Sequence, residues 1–373
     1  MRIYPLILMI LLLAVFGCID PYNPPEIAAE QEYLVIDGSF HPNEISEVHL
    51  SYTQNLTDEE IPATISNAQV VLQVKGDQSY EFSSRGNGSY QLMPLDLPLN
   101  SEVRLQVNTE GKSYVSGYVP VLLTPEIDSI SFEAQNDGMQ FFVNTRDPQN
   151  NTWYYRWEFT DTWQISSVYD SRFEYVNNSV IPRQVGIYYC WKSNDSKDIY
   201  ATTSSNLSQD VIAMFPLHKV GSNSEKLRIK YSVLVKQYAL TREGYEYYRE
   251  LKSNTESLGT LFDPLPFQLN GNFSNVNDPD EPVIGFFYAA ETTDKRIFVD
   301  TGDHDYFIRN SLASLCEMDT VLNADFPEVA DRLLIVDEFY GEFSPVPIGY
   351  LMSTTFCTDC RLYGTNVRPE FWQ

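Results

Sequence analysis

The feature that most constrains this chain is a series of short apolar–polar alternations broken at near-regular intervals by turns. Glu47-Val48-His49-Leu50-Ser51-Tyr52 and Ala68-Gln69-Val70-Val71-Leu72-Gln73-Val74 both alternate with period two. That spacing sends apolar side chains to one face of an extended strand and polar ones to the other. Tyr33-Leu34-Val35-Ile36 opens the series before an Asp37-Gly38 turn, and Arg85-Gly86-Asn87-Gly88 leads tightly into Ser89-Tyr90-Gln91-Leu92. Glu102 to Val107 and Tyr114 to Val119 complete it. Turns recur every ~8–12 residues with no helical pattern between them, which predicts an immunoglobulin-like or prealbumin-like β-sandwich over residues 33–123.

Pro120 and Thr124-Pro125 mark the end of that unit. The chain from 124 to 373 reads as a larger antiparallel β domain, so the whole is mainly β. The 25 tyrosines and 21 phenylalanines point the same way, because aromatic side chains favour strands. Trp153, Tyr155, Trp157 and Phe159 fall on one face of a strand; they read as sandwich core, with a binding platform for a sugar or peptide as the alternative. One main helix is expected near 242–258. Thr241 is its N-cap, Glu243 sits in the first turn, Gly259 closes the end, and Tyr245, Tyr248, Leu251 and Leu258 share a face. Val283 to Ala290 and Lys295 to Asp300 read as a β-hairpin.

The N-terminus has a different character. Arg2 precedes an apolar run from Leu6 to Phe16, too short for the roughly 20 residues a spanning helix needs and suited to a signal peptide. Val15-Phe16-Gly17-Cys18 reads as a lipobox. Residues 1–17 are then the leader, Cys18 the lipidated residue, and 18–32 a Pro-containing acidic tether. From Cys18 through Val74 there is no Lys or Arg.

Four cysteines remain: Cys190, Cys316, Cys357 and Cys360. An even number in an exported chain points to structural disulfides, in any of three pairings. Cys357-Thr358-Asp359-Cys360 also admits a zinc or thiol-redox reading. Zinc lacks a second ligand pair at comparable spacing, and a redox CxxC should open a helix after a strand, whereas coil is expected here.

The net charge of −26 repels nucleic acid and excludes it as a partner. No HExxH, GxSxG or P-loop occurs, so no catalytic residue is assigned and the chain is read as non-enzymatic. No cofactor is expected, with calcium as the one candidate. Asp300, Asp303 and Asp305 surround a glycine turn, and Asn275, Asn277, Asp278 and Asp280 form a second oxygen-rich loop. Solvated turns account for both.

These segments together resemble a family of Bacteroidetes lipoproteins, domain-of-unknown-function family 4249. The resemblance runs through the lipobox, Leu34-Val35-Ile36-Asp37-Gly38, Gln237-Tyr238-Ala239-Leu240-Thr241 and Leu261-Phe262-Asp263-Pro264. It continues in Gly271-Asn272-Phe273, Gly285-Phe286-Phe287-Tyr288, Lys295-Arg296-Ile297-Phe298-Val299 and the segment from Cys357 to Trp372. It implies an outer-membrane lipoprotein, facing the cell surface in preference to the periplasm, that serves a TonB-dependent β-barrel transporter as an accessory or ligand-binding partner. A structural or adhesive surface lipoprotein and an envelope hydrolase are the alternatives. The family brings no catalytic residues.

Overall fold

The computed structural model describes residues 32–54, 62–76, 78–98, 101–256 and 271–373. The leader, Cys18, the tether up to residue 31, Leu258, Gly259 and the Leu261–Pro264 motif lie outside the described residues. The fold is mainly β, with 25 strands and three α-helices among the described residues. No helix among them is long and apolar enough to cross a membrane.

The alternating segments form strands where the period requires. Val48 and Leu50 in Ser46–Tyr52, Val70 and Leu72 in Gln69–Val74, and Val103, Leu105 and Val107 in Glu102–Thr109 all point into one apolar core with Ile36, Phe40 and Tyr90. This is a sandwich whose strands belong to one continuous ladder of 12. Its composition was not foreseen from local pattern. Three of its strands come from much later in the chain: Phe273–Asn275 pairs with Lys112–Ser116, and Val283–Ile284 and Tyr288–Ala290 both lie parallel to Leu34–Phe40. Tyr288–Ala290 also pairs with Val119–Leu122 and so joins the two halves of the ladder.

The expected hairpin between Val283 and Asp300 therefore does not form. Thr292–Asp300 instead runs antiparallel to Lys230–Ala239 in another sheet. The segment is apolar on both faces (Val283, Phe287, Tyr288, Ala289 and Ala290 are all buried), so it suits a central position between two strands better than a two-stranded ribbon. Its entry depends on Gly285, whose φ of +146° lets its backbone approach that of Ile36.

The second unit packs the three-stranded sheet Ile127–Gln135, Gly138–Arg146, Val211–Gly221 against a five-stranded one. The latter contains Tyr189–Asp195, Tyr154–Ser166, Lys230–Ala239 and Thr292–Asp300 in that order, with Tyr200–Thr203 also pairing to Tyr154–Ser166. Tyr155, Trp157 and Phe159 lie in its core with Phe141, Tyr231 and Val233. Trp157 stacks between Tyr155 and Phe215, and its indole N–H donates to Gln237 at 2.8 Å. Buried and fully partnered, Tyr155 and Trp157 cannot serve as a platform. Only Trp153 stands apart.

The opposite face of the five-stranded sheet carries Tyr154, Arg156, Glu158, Tyr238 and Leu240. Across it lies helix α1, Arg242–Glu256, capped as its sequence requires: the Thr241 hydroxyl accepts from the Gly244 N–H at 3.1 Å. Tyr247 and Tyr248 from α1 pack with Tyr238, Leu240, Phe286 and Tyr288. This layer of tyrosines is the seam between the two sandwiches.

A C-terminal sheet, Asp319–Leu322, Pro347–Thr354 and Leu333–Tyr340, closes over Phe326, Ile335 and Met352. Both disulfides belong to this region. Cys190 is joined to Cys360 and Cys316 to Cys357, so the CxxC cysteines do not pair with each other. The segment is not coil as expected: Thr355–Thr358 makes one helical turn directly after a strand. Cys357 lies in that turn and Cys360 opens the next one, Cys360–Leu362, so the two reach separate partners, and all four cysteines are buried.

Candidate functional site

Two clefts open along the seam. The first, of about 680 Å³, lies within the roughly 300–1,000 Å³ typical of small-molecule sites. It is lined by Trp153 and Tyr154, by Leu122, Leu123 and Pro125 of the inter-unit linker, and by Gln149, Asn151, Thr241 and Arg242. Trp153 has φ +61°, a left-handed conformation that a bulky residue adopts only under constraint, at a cost of about 1–3 kcal/mol.

The constraint comes from two buried carboxylates. Asp210 accepts from the Trp153 N–H at 2.9 Å and from the Tyr155 hydroxyl at 2.7 Å, and also from the Ser204 hydroxyl. Asp147 accepts from the N–H groups of Gln149, Asn151 and Thr152 and from the Thr152 hydroxyl, at 2.8–3.1 Å. Burial works against the Asp147 charge, but the Asn151 and Gln149 N–H groups outweigh it and hold the carboxyl below its ordinary range. The Trp153 carbonyl accepts from the Ser204 N–H at 2.9 Å and the Thr203 hydroxyl at 2.8 Å. The loop 147–153 is thus a rigid mount for one half-buried indole.

The second cleft, about 750 Å³, is polar. At its base the Arg156 guanidinium stands 4.4 Å from the Tyr248 ring centre and 5.7 Å from that of Tyr238. It donates to the Tyr288 hydroxyl at 2.9 Å and pairs with Glu158. Burial opposes ionisation of Glu158, yet Arg156 and the Tyr238 hydroxyl hold its carboxyl low. Above them the His41 ring, its pKa depressed by burial, bonds the Ala290 carbonyl at 2.8 Å. The cation that fills this tyrosine cage is the protein's own, so the cleft has the character of a joint. The alternation around Trp153 did place Arg156 and Glu158 opposite the core. What it could not reveal is that helix α1 covers them.

A further buried constellation lies inside the second sandwich. Asp161 accepts from Lys226 and from the Tyr231 hydroxyl at 3.3 Å, with His218 Nε2 at 3.7 Å. Burial pushes its carboxyl up, but His218 and Lys226 prevail and hold it below 3.8. A carboxyl depressed in the folded state stabilises above the unfolded pKa and loses that contribution as pH falls through the folded value. Asp161→Asn is therefore expected to destabilise the protein at pH 7 by about 3 kcal/mol, through the uncompensated Lys226. The gap from wild type should narrow below pH ~4. Urea unfolding at pH 7 and pH 3 measures both; an equal gap at the two values would contradict the assignment.

The calcium candidates are not assembled into a site. Asp303 accepts from the Asp300 N–H at 2.7 Å to cap a short 3-10 turn, Asp300 lies 3.4 Å from Lys230, and Asp305 is exposed. Asn275 is tied to Glu281 and to the Asn277 N–H. Among the described residues no group of three or more His, Cys, Asp or Glu is placed to hold a metal ion. Local carboxylate density reflects turn capping in an acidic chain.

No curated protein matches the chain. Among solved structures, a two-domain fibronectin type-III segment of chicken tenascin shares 10% identity, with 56% of this chain and 91% of that one covered and a TM-score of 0.15. The family model described as a domain of unknown function (DUF4249) matches residues 19–296. Those residues contain the first sandwich, the Trp153 mount, helix α1 and the late strands that complete the ladder, and the chain belongs to that family.

Proposed function

We propose that this protein is a lipid-anchored envelope protein that binds a ligand non-covalently in the Trp153 cleft, as an accessory to a TonB-dependent outer-membrane transporter. The observation that carries the ligand-binding part is the Trp153 mount. Two buried carboxylates and a strained backbone hold one aromatic residue in the lining of a cleft where core packing does not need it. Two buried disulfides suit an oxidising compartment outside the cytoplasm. The lipobox at Cys18 supports attachment to the outer membrane, with the acidic tether lifting the folded units off an anionic surface.

Cys18→Ser is expected to move the protein from the membrane to the soluble fraction on cell fractionation; retention in the membrane would contradict the anchor. Affinity purification of the tagged protein from native membranes in mild detergent tests the partnership. A stoichiometric β-barrel supports it, and recovery of the protein alone removes it while leaving ligand binding to be measured separately.

A further inference from the structure

We infer that the Trp153 cleft takes a neutral saccharide; this deepens the ligand-binding reading and rests on it. Three features of the cleft converge on that class.

The first is the indole itself. Among the described residues it makes no ring contact with another aromatic group or a cation, and its N–H donates to no protein acceptor. Trp157 and Trp163 both donate to side chains, Gln237 and Glu225, while the Trp191 indole, also without an acceptor, is buried away from any ligand. A half-exposed indole in a cleft lining, without a ring partner and with its donor unused, suits a ligand with one apolar face and hydroxyls around its perimeter. The second feature is the state of the charges. Asp147 is saturated by four donors, and Arg242 is paired with Glu246 at 2.9 Å. Asp147 offers no unpaired charge to a ligand, and the Arg242 charge is partly offset by its i,i+4 partner.

The third is what remains free. The side-chain amides of Gln149 and Asn151 make no hydrogen bond among the described residues and line the same cleft, and the Thr241 hydroxyl has its donor unused. These are neutral donors and acceptors. An anionic ligand would meet a single cation here, the Arg242 shared with Glu246, and would approach a chain of net charge −26. A zwitterionic peptide would leave its termini unpaired in the cleft. A sugar ring stacked on Trp153 and bonded at its edges by amides uses the indole, the Gln149 and Asn151 amides and the Thr241 hydroxyl together.

The test is isothermal titration of the full chain, held in a polyoxyethylene detergent so that no glycoside competes. The probes are maltohexaose, cellohexaose, xylohexaose and laminarihexaose. Trp153→Gly is the informative variant, since it removes the ring at a position whose φ glycine tolerates and so preserves the fold. Saturable binding of one or more of these glycans, weakened at least tenfold in Trp153→Gly and in Asn151→Ala by a smaller factor, supports the inference. Glycan binding that Trp153→Gly leaves unchanged overturns this site. If no glycan binds but the tripeptide Lys-Lys-Lys or Ala-Ala-Glu does so in a Trp153-dependent way, the saccharide class is overturned and the cleft remains a ligand site. Failure of both probe sets overturns both readings.

Discussion

Gly285→Ala should destabilise the first sandwich by about 3 kcal/mol or more, from strain at positive φ and from overpacking, each of order 1–3 kcal/mol. A Cβ at Gly285 would stand 2.1 Å from the Ile36 carbonyl oxygen, between the parallel pairing of Val283–Ile284 with Leu34–Val35 and that of Tyr288–Ala289 with Ser39–Phe40. Backbone cannot rotate out of the way as a side chain can. The Gly271 backbone closes the other side, since even a Cβ there would lie 1.8 Å from the Gly285 carbonyl oxygen, so the 285 segment has little room to shift away from Ile36. The consequence reaches the seam: Phe286 and Tyr288 follow directly, and they hold α1 and Arg156 in place. Denaturant unfolding of Gly285→Ala beside Gly117→Ala makes the comparison. A Cβ at Gly117 meets nothing within 4 Å, so that variant should fall within about 0.5 kcal/mol of wild type. Equal stability of the two variants would show that the late strands do not complete the ladder as described.

What the sequence made legible is what alternation encodes. Val48, Leu50, Leu72 and Leu105 are core residues because period two leaves them no other face, and Thr241 marked the start of α1 because an N-cap is a local signal. Destinations were not legible. Val283 to Ala290 is apolar on both faces, which says that it is covered but not by which strand, and the partner is about 250 residues upstream in Leu34–Phe40. The aromatic row shows the same limit at finer scale. Trp153 and Tyr155 share parity, yet Asp210, 57 residues further on, turns the backbone at Trp153 and parts their environments. Parity assumes an extended chain, and one long-range hydrogen bond suspends it. The cysteine pairing was equally out of reach, since it depends on how the last strand and its helical turn dock.

That docking yields the second large expected effect. Cys190–Cys360 closes a separation of 170 residues and links the edge strand Tyr189–Asp195 to the C-terminal segment, whereas Cys316–Cys357 closes 41 residues inside that segment. Replacing both Cys190 and Cys360 with Ala should cost about 2–5 kcal/mol. The corresponding Cys316/Cys357 variant should lose about 1 kcal/mol less, because loop-closure entropy grows only logarithmically with length. The two variants should also differ in where they open. Without Cys190–Cys360, the contacts left between the tail and that edge strand include the paired Trp191–Thr365 backbone bonds at 2.8 and 3.0 Å and the edge-on packing of Trp372 against Trp191. With the covalent link gone, non-covalent contacts alone set the free energy of a local opening at this edge. Limited proteolysis should therefore release fragments C-terminal to residue 300 from the Cys190/Cys360 variant well before the sandwich cores are cut. The Cys316/Cys357 variant, still stapled to its edge strand, should be cut more slowly there. Digestion of the unreduced wild-type protein with mass mapping closes the argument: a peptide joining Cys357 to Cys360 would refute the pairing, and with it the different behaviour expected of the two variants.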